Sequence, residues 1–275
     1  MRITTLLLCT GLAVALSSST TEHGKAPIPS SARQRFAEVP AGDAFIDGAR
    51  VPVRGFFLAR TEVSNAEYRA FLDEVRRNNG AEMLKGLVPD GDATGPEQAI
   101  ARAYYTDRAF DNHPVVNVSA EAARTYCAWL EEKLNAEARP GVSYKVRLPD
   151  RASWVRAAQG GLGNSPFAWG GPNVRNAQGC ILCNLKASTL QDRKVVYADG
   201  DDGATLTAPV DAYAANGYGL FNMNGNVAEW LEGPGLAAGG SWASSVEEVR
   251  NESVMHVNGP SALVGFRPML EVSGN

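Results

Sequence analysis

The chain has 275 residues, of which 44% are hydrophobic, 20% are charged and 8% are aromatic. This composition supplies a buried core and excludes an intrinsically disordered chain. Its 26 basic and 30 acidic residues leave a net charge of -4, which argues against a nucleic-acid-binding surface. The 28 glycines and 15 prolines predict many turns and loops, so an all-helical bundle does not fit.

The N-terminal segment has the pattern of a secretory signal peptide. Arg2 gives a basic start, residues 6–16 form an apolar run, and small residues follow. The run is too short to span a bilayer. We therefore expect a signal peptide over residues 1–19. Because Cys9 follows Leu8 rather than a small residue, a lipoprotein signal is not predicted, and lipidation at an unusual site stays open.

The rest of the chain contains no further stretch that is apolar enough to be a transmembrane segment. Residues 20–35 are polar and contain proline and serine, which is typical of a flexible tether. Residues 36–272 carry the periodic patterns of one folded domain. A signal peptide places that domain outside the cytoplasm, so we expect an exported, periplasmic or envelope-associated protein.

The domain opens with a predicted hairpin, in which residues 44–46 and 53–58 are strands around an Asp47-Gly48 turn. Ser64 and Glu67 then form a capping box at the start of an amphipathic helix. The remaining predicted elements are an insertion over residues 78–107, a helix from Ser119, a strand over 146–148, a helix through Trp154, and loops that lead to a last strand within 262–270.

Three cysteines follow the signal segment, and export would place them in an oxidising compartment. Cys180 and Cys183 could form a local disulfide, half of a zinc site or a redox pair. The zinc alternative lacks partners, because the three histidines of the chain are not spaced as a ligand pair. Cys127 lies on the second predicted helix and is expected to be a small buried apolar residue.

Two loop segments offer oxygen ligands of the kind that calcium prefers. The first concentrates Asp199, Asp201 and Asp202 before a glycine. It is not an EF-hand, because the twelfth position from Asp199 is Val210 rather than glutamate. The second segment, from Asn222 to Glu229, offers two side-chain oxygens and the backbone carbonyls between them. Solvated acidic or polar loops remain the alternative for both segments.

A set of short motifs carries a family resemblance. They are Thr61-Glu-Val-Ser-Asn65, His113-Pro-Val-Val116, Val146-Arg-Leu-Pro149, Phe167-Ala-Trp-Gly170, Asn216-Gly-Tyr-Gly-Leu-Phe-Asn222, Gly225-Asn-Val-Ala-Glu-Trp230, Gly239-Gly-Ser-Trp242 and Gly265-Phe-Arg267. In this order they resemble the formylglycine-generating enzyme, or sulfatase-modifying factor, family. The resemblance implies a loop-rich α+β domain with short antiparallel strands and a few helices, a variant of the C-type lectin fold.

The resemblance implies two structural calcium ions. The ligands of one ion would be the side chains of Asn222 and Glu229 with the carbonyls of Gly225 and Val227. The ligands of the other would be the side chains of Asn184 and Asp202 with the carbonyls of Leu185 and Ala204. All four side-chain ligands are present in this chain.

For catalysis the resemblance implies a loss. The family's enzyme oxidises a peptide cysteine with oxygen, using copper held by two cysteines that follow the Gly-Gly-Ser-aromatic motif. The matching positions here are Ser244 and Val249. Copper(I) requires soft ligands such as a thiolate pair, which serine and valine do not provide. Copper-dependent formylglycine generation is therefore not expected.

Two segments, residues 104–116 and 175–186, are also similar to the gliding-motility and type IX secretion lipoproteins of Bacteroidetes. Those proteins lack the copper cysteines and are structural parts of envelope machinery. The resemblance thus favours an exported, calcium-stabilised, non-catalytic module that is structural or binds an envelope protein or glycan. An inert domain with no ligand beyond calcium is a further possibility.

The alternative is an enzyme of different chemistry on the same scaffold, such as a periplasmic oxidase. Its candidate residues, near the former copper site, are Ser241, Ser244, Glu247 and His256. His256 could act as a general base, although a surface or packing histidine fits the same pattern. The non-catalytic interpretation assigns no catalytic residue.

Overall fold

The computed structural model describes residues 28–90, 102–186, 188–191, 194–197 and 206–274. The predicted signal peptide and the Asp199–Asp202 segment lie outside the described residues. The helices are α1 (Ser30–Arg35), α2 (Asn65–Asn79), α3 (Arg102–Thr106), α4 (Ala120–Ala136) and α5 (Arg151–Ala158), with 3-10 turns at Ala81–Leu84 and Arg108–Phe110. The strands are β1 (Phe36–Val39), β2 (Gly42–Ile46), β3 (Ala49–Val53), β4 (Phe56–Ala59), β5 (Ser143–Arg147), β6 (Ser188–Gln191), β7 (Lys194–Tyr197), β8 (Ala228–Trp230), β9 (Leu236–Ala238), β10 (Val254–His256), β11 (Val264–Gly265) and β12 (Met269–Ser273).

A central antiparallel sheet in the order β1-β4-β12-β5 has a core on each face. Successive side chains of a strand point to opposite faces. Accordingly, Phe57 and Ala59 pack with residues of α2 and α4, whereas Phe56 and Leu58 pack with Trp154 of α5. This arrangement explains why β4 is apolar at every position.

A second sheet, β10-β9-β8-β11, brings the later motifs together. Its strands are antiparallel except for β8 and β11, which pair in parallel. Glu229 lies on β8, and Arg267 lies between β11 and β12, where the chain passes from the second sheet to the central one. The connection therefore places Arg267 between the two sheets.

The predicted helix starts are confirmed. The Ser64 hydroxyl accepts a hydrogen bond from the Glu67 backbone N–H, and the Glu67 carboxylate accepts one from the Ser64 N–H, which completes the capping box of α2. Ser119 caps α4, and Asp150 caps α5 through the Ser153 N–H. The α+β class with short strands and few helices is also confirmed.

Two segments differ from the expectation. The turn at Asp47-Gly48 is present, but its second strand is β3. Residues 56–59 join the central sheet instead, because a segment that is apolar on both faces fits an internal strand rather than an exposed hairpin. Part of the predicted tether is folded: Ser30–Arg35 is helical, and Ile28 and Ala32 are buried in the main core.

Within the described residues, no helix is both long and apolar enough to cross a membrane.

Candidate functional site

A buried polar centre lies between the two sheets, formed by Glu62, Asn222, Asn226, Glu229 and Arg267. Arg267 is fully buried, and all five of its N–H donors are used. Its Nη1 donates to the carbonyls of Ala59 and Arg60 at 3.0 and 2.9 Å, and its Nη2 donates to the Phe221 carbonyl at 2.8 Å. Arg267 therefore ties the end of β4 to the loop that precedes β8.

The remaining donors of Arg267 bind the carboxylate of Glu229, which is also buried. Nη2 lies 2.6 Å from Glu229 Oε1, and Nε lies 2.9 Å from both carboxylate oxygens. The indole Nε1 of Trp154 donates to Oε2 at 2.7 Å. Burial by itself would lower the pKa of Arg267, but the Glu229 carboxylate raises it above its ordinary value. These three N–H groups make four close contacts with the Glu229 carboxylate, two on each oxygen.

Glu62 is a second, fully buried carboxylate at this centre. Its Oε1 accepts a hydrogen bond from Asn226 Nδ2 at 2.9 Å, and its Oε2 accepts one from Asn222 Nδ2 at 3.4 Å. Arg267 Nη2 lies 3.8 Å from Oε2. Burial raises the pKa of Glu62 to about 8, although the Arg267 charge opposes the shift. Glu62 and Glu229 share one guanidinium, so their ionised forms leave an excess negative charge.

The side-chain oxygen of Asn222 has the environment expected of a cation ligand. The Asn222 side chain is buried, and Oδ1 has no hydrogen-bond partner among the described residues. The amide is oriented by its other end, because Nδ2 donates to the Pro209 carbonyl at 3.1 Å and to Glu62. A buried oxygen without a donor is costly, and a hard cation would satisfy it. Asn222 and Glu229 therefore fit calcium.

The loop that contains these ligands has an unusual backbone. Asn222, Gly225 and Asn226 adopt left-handed conformations, with φ of 49°, 77° and 62°. A Cβ on Gly225 would lie 2.1 Å from the Asn184 carbonyl oxygen, so only glycine fits there. The four predicted ligands of this first site are thus on one compact loop and the adjoining strand β8.

The second predicted site is only partly described. Asn184 is buried, and its Nδ2 donates to the Leu206 carbonyl at 2.7 Å. Its carbonyl accepts the Asn226 N–H at 2.8 Å, which links it to the first site. Leu185 is buried as well, but Asp202 and Ala204 lie outside the described residues. No cluster of three or more His, Cys, Asp or Glu side chains that could hold a metal occurs in the described part of the chain.

Ser244 and Val249, the two positions predicted to match copper ligands, are buried. Ser244 Oγ accepts a hydrogen bond from the Ser241 N–H at 3.0 Å and lies 3.4 Å from the Ser241 hydroxyl. Val249 is fully buried and packs with Phe167, Cys183 and Leu185. A hydroxyl and a hydrocarbon occupy this site, so the residues present do not fit copper(I).

The candidate residues of the alternative enzyme differ in their environment. Ser241 and Ser244 are buried, whereas His256 is exposed on β10. Glu247 is exposed and pairs with Arg250 at 3.2 Å. None of three cavities of about 420, 190 and 260 Å³ is lined by either serine, by Glu247 or by His256. None of these three cavities therefore brings the four residues together.

The three cysteines among the described residues are thiols in the structure. Cys127 and Cys183 are buried, and Cys180 is exposed. Burial raises the pKa of the Cys127 thiol to about 12, which agrees with its prediction as a packed apolar residue. The Cys180 segment is held by Asn176, whose side-chain oxygen accepts the Cys180 N–H at 2.9 Å.

Sequence reasoning missed Glu62 as a member of the polar centre. The residue was noted only as part of a motif, Thr61-Glu-Val-Ser-Asn65. A usable signal was its position directly between the apolar strand Phe56–Ala59 and the cap of α2, where an acidic residue is forced into the interior. A buried carboxylate needs hydrogen-bonding or charged partners. Those partners are distant in sequence, so only the tertiary structure identifies them.

This loop-rich α+β fold with its buried Arg–Glu–Asn centre defines a sulfatase-modifying-factor type of scaffold. The profile of the FGE-sulfatase family, the sulfatase-modifying factor enzyme 1-like domain, matches residues 29–272. The chain belongs to this family.

Its relatives include both active and inactive proteins. The chain is 34% identical over 236 residues to the formylglycine-generating enzyme of Thermomonospora curvata, covering 75% of this chain and 70% of that one. It is 29% identical over 237 residues to the inactive C-alpha-formylglycine-generating enzyme 2 of Bos taurus, covering 73% and 70%. The chain spans about half the length of the mouse and bovine formylglycine-generating enzymes that it also matches.

Among solved structures, PvdO from Pseudomonas aeruginosa has a TM-score of 0.57 at 19% identity, covering 86% of this chain and 94% of that one. At this identity the likeness concerns the fold alone.

Proposed function

We propose that this protein is a non-catalytic member of the sulfatase-modifying factor family, a calcium-stabilised module that is exported and serves a structural or binding role in the cell envelope. The observation that carries the proposal is the buried pair of Ser244 and Val249 at the copper-ligand positions. Neither side chain is a soft ligand, so these two positions would not bind the copper(I) that the family's enzyme uses for its redox step.

Calcium is supported by the ligand chemistry of the polar centre. The ion would be held by Asn222 and Glu229 with backbone carbonyls of Gly225 and Val227. When bound, it would supply positive charge to a centre in which two carboxylates, Glu62 and Glu229, face one guanidinium. The open oxygen of Asn222 is the direct support for this site. Asn184 and Asp202 are the proposed side-chain ligands of a second ion.

Export and the envelope location are supported by the signal-peptide pattern over residues 1–19. The partner is proposed by class only, as an envelope protein or a glycan, with no nucleic acid involved. The buried serines and the exposed His256 favour this binding or structural role over an oxidase.

The test is an assay for thiol-to-aldehyde conversion. The purified chain is incubated with a cysteine-containing sulfatase-type peptide, copper(I) and oxygen, and the aldehyde is captured with an aminooxy reagent. An active formylglycine-generating enzyme is the positive control. We expect no aldehyde above background and no stoichiometric copper(I) binding by the chain. Aldehyde formation or one tightly bound copper ion would overturn the proposal.

The double variant Ser244→Cys/Val249→Cys provides the matched comparison. It restores both thiols at the positions where the family's enzyme has them, so we expect it to bind one copper(I) ion in competition with a chromogenic chelator. The single variants should not compete, because one thiolate is an incomplete ligand set. If the double variant fails to bind copper while retaining its fold, the assignment of these two positions is wrong.

A further inference from the structure

The calcium site proposed above is in contact with Glu62, a buried residue that is not among its proposed ligands. We propose that Glu62 is a positioning residue for this site, which orients the Asn222 side chain so that its oxygen faces the cation. The inference rests on the proposed calcium function. It adds a residue that is distant in sequence and that fixes the ligand without being a ligand itself.

The geometry begins with the two donors of the Asn222 amide. One N–H is directed at the Pro209 carbonyl and the other at Glu62 Oε2. Both partners accept a hydrogen bond from the nitrogen in this structure, so the nitrogen end of the amide is fixed there. Oδ1 must then point the other way, where it is buried and has no partner.

Glu62 is itself held in place from its other oxygen. Asn226 Nδ2 donates to Glu62 Oε1 at 2.9 Å and to the Ala208 carbonyl at 3.2 Å. Asn226 Oδ1 accepts the Ala208 N–H at 2.7 Å, which fixes the orientation of that amide too. Asn226 is fully buried, as is Glu62. These hydrogen bonds fix the position of the Glu62 carboxylate.

Asn226 also contacts Asn184, a proposed ligand of the second ion. The Asn226 N–H donates to the Asn184 carbonyl, and Asn184 Nδ2 lies 3.3 Å from Asn226 Oδ1. Glu62 thus acts at a point where the ligand segments of both ions meet. Partners outside the first coordination sphere commonly set the affinity of metal sites, with changes of 10- to 100-fold on mutation.

The discriminating variant is Glu62→Gln. The glutamine oxygen must stay toward Asn226, since that amide is fixed, so its NH₂ group faces the Asn222 NH₂ group. Two donors cannot pair, and the Asn222 amide is expected to rotate and withdraw its oxygen from the cation. We expect the affinity for Ca²⁺ to fall by about 10-fold or more.

Affinity is measured by titration calorimetry with Ca²⁺ and by tryptophan-sensitised Tb³⁺ luminescence. The luminescence suits this site because the Trp154 indole donates directly to Glu229, so an ion on Glu229 lies beside the ring. Asn222→Ala defines the signal lost with the site itself. Glu131→Gln is the matched control, because Glu131 also accepts a backbone N–H, from Val146 at 2.8 Å, but is not part of the centre.

A double variant separates positioning from charge and from folding. In Glu62→Gln/Asn222→Asp, the glutamine NH₂ can donate to one carboxylate oxygen of the aspartate, and the other oxygen stays available for the ion. The number of carboxyl groups at the centre equals that of the unaltered chain. We expect this double variant to bind Ca²⁺ several-fold more tightly than Glu62→Gln. A purely structural effect of losing Glu62 gives no such recovery.

The outcomes are distinct. If the unaltered chain binds neither Ca²⁺ nor Tb³⁺, the proposed calcium site is wrong and the role of Glu62 falls with it. If the unaltered chain binds and Glu62→Gln binds equally well, only the positioning role is overturned. If Glu62→Gln is weakened but the double variant shows no recovery, Glu62 contributes charge or folding rather than orientation, which also overturns the inference.

Discussion

Two loops of this molecule, both rich in the family's motifs, differ in the side chains that they bury. Residues 222–230 and Arg267 keep a polar interior, in which a guanidinium, two carboxylates and two asparagines are hydrogen-bonded and one asparagine oxygen stays open. Residues 239–251 instead pack Val249 into an apolar cluster, and the two serines bond within the loop itself.

The difference separates residues on which the fold depends, those of the polar centre, from residues that can change while the fold is kept, those of the 239–251 loop. The polar centre joins β4, β8 and the chain before β12, so its loss would disturb the whole fold. Ser244 and Val249, the positions predicted to match the copper ligands, are accommodated by a local hydrogen bond and by an apolar cluster. Our proposal is that the fold is retained in this way while the copper chemistry is lost.

The largest expected effect comes from removing the guanidinium of the polar centre. Arg267→Met leaves the Glu229 and Glu62 carboxylates buried without their cation, which should reduce the free energy of unfolding by about 3–5 kcal/mol. Arg108→Met is the control, because Arg108 is exposed and pairs with Asp111 only at the surface; its loss should stay below about 1 kcal/mol. Equal losses in urea titrations would contradict a special role for the centre.

A smaller loss is expected in the apolar loop. Val249→Ala removes two buried methyl groups and leaves a cavity beside Phe167 and Cys183, which should cost about 2 kcal/mol. Val88→Ala, at a position that is 51% exposed, should change stability by less than about 0.5 kcal/mol. Chemical denaturation measures both. If Val249→Ala is as mild as Val88→Ala, the loop is not packed as described.

The cap of α5 tests the element that carries Trp154 to the polar centre. Burial would raise the pKa of Asp150, but the Ser153 N–H and hydroxyl, together with Arg147, bring it below its ordinary value. Its charged form therefore stabilises the fold above the pKa of the unfolded chain, and this is lost as pH falls through the folded pKa. Asp150→Ala should cost about 1 kcal/mol at pH 7.

The pH dependence sharpens that prediction. The difference between the unaltered chain and Asp150→Ala should shrink when unfolding is measured at about pH 3, below the ordinary aspartate pKa. Asp150→Ser keeps a capping oxygen without the charge and should recover most of the loss at neutral pH. A difference that grows on acidification would contradict the assignment.

The smallest effect concerns the thiols and changes no stability. In the native protein, purified without a reductant, Cys180 should react rapidly with a maleimide because it is exposed, whereas Cys127 and Cys183 should react only on unfolding because they are buried. Peptide mapping after a short pulse identifies the labelled site. Absence of fast labelling at Cys180 would indicate a disulfide in place of the thiol.

Local patterns in the sequence predicted the helix starts, because a capping box or an N-cap depends on residues three positions apart. Ser64 caps α2 as expected, the helix predicted from Ser119 begins there, and the predicted helix through Trp154 begins after Asp150. The partner strand of β4 could not be predicted, since pairing with β1 and β12 joins distant segments. The folded helix before β1 was also missed, because six residues carry too little periodicity to distinguish a helix from a tether.

The candidate site also has one part that is local in sequence and one part that only the tertiary structure brings together. The segment proposed to hold calcium, from Asn222 to Glu229, is continuous in sequence, so a family resemblance could indicate it. Glu62 and Arg267 are more than 200 residues apart, as 267 minus 62 gives 205, and only the tertiary structure brings them together. Their contact at 3.8 Å has no local sequence signature.

The central claim is that this scaffold keeps a hard-cation centre and has lost the soft-metal one. The most direct measurement is the metal content of the purified chain by mass spectrometry, combined with thermal unfolding before and after treatment with a calcium chelator. The account predicts bound calcium, two ions per chain if both proposed sites are filled, no copper, and a clear fall in Tm on chelation. Stoichiometric copper, or a calcium-free chain whose Tm is unchanged by the chelator, would contradict it.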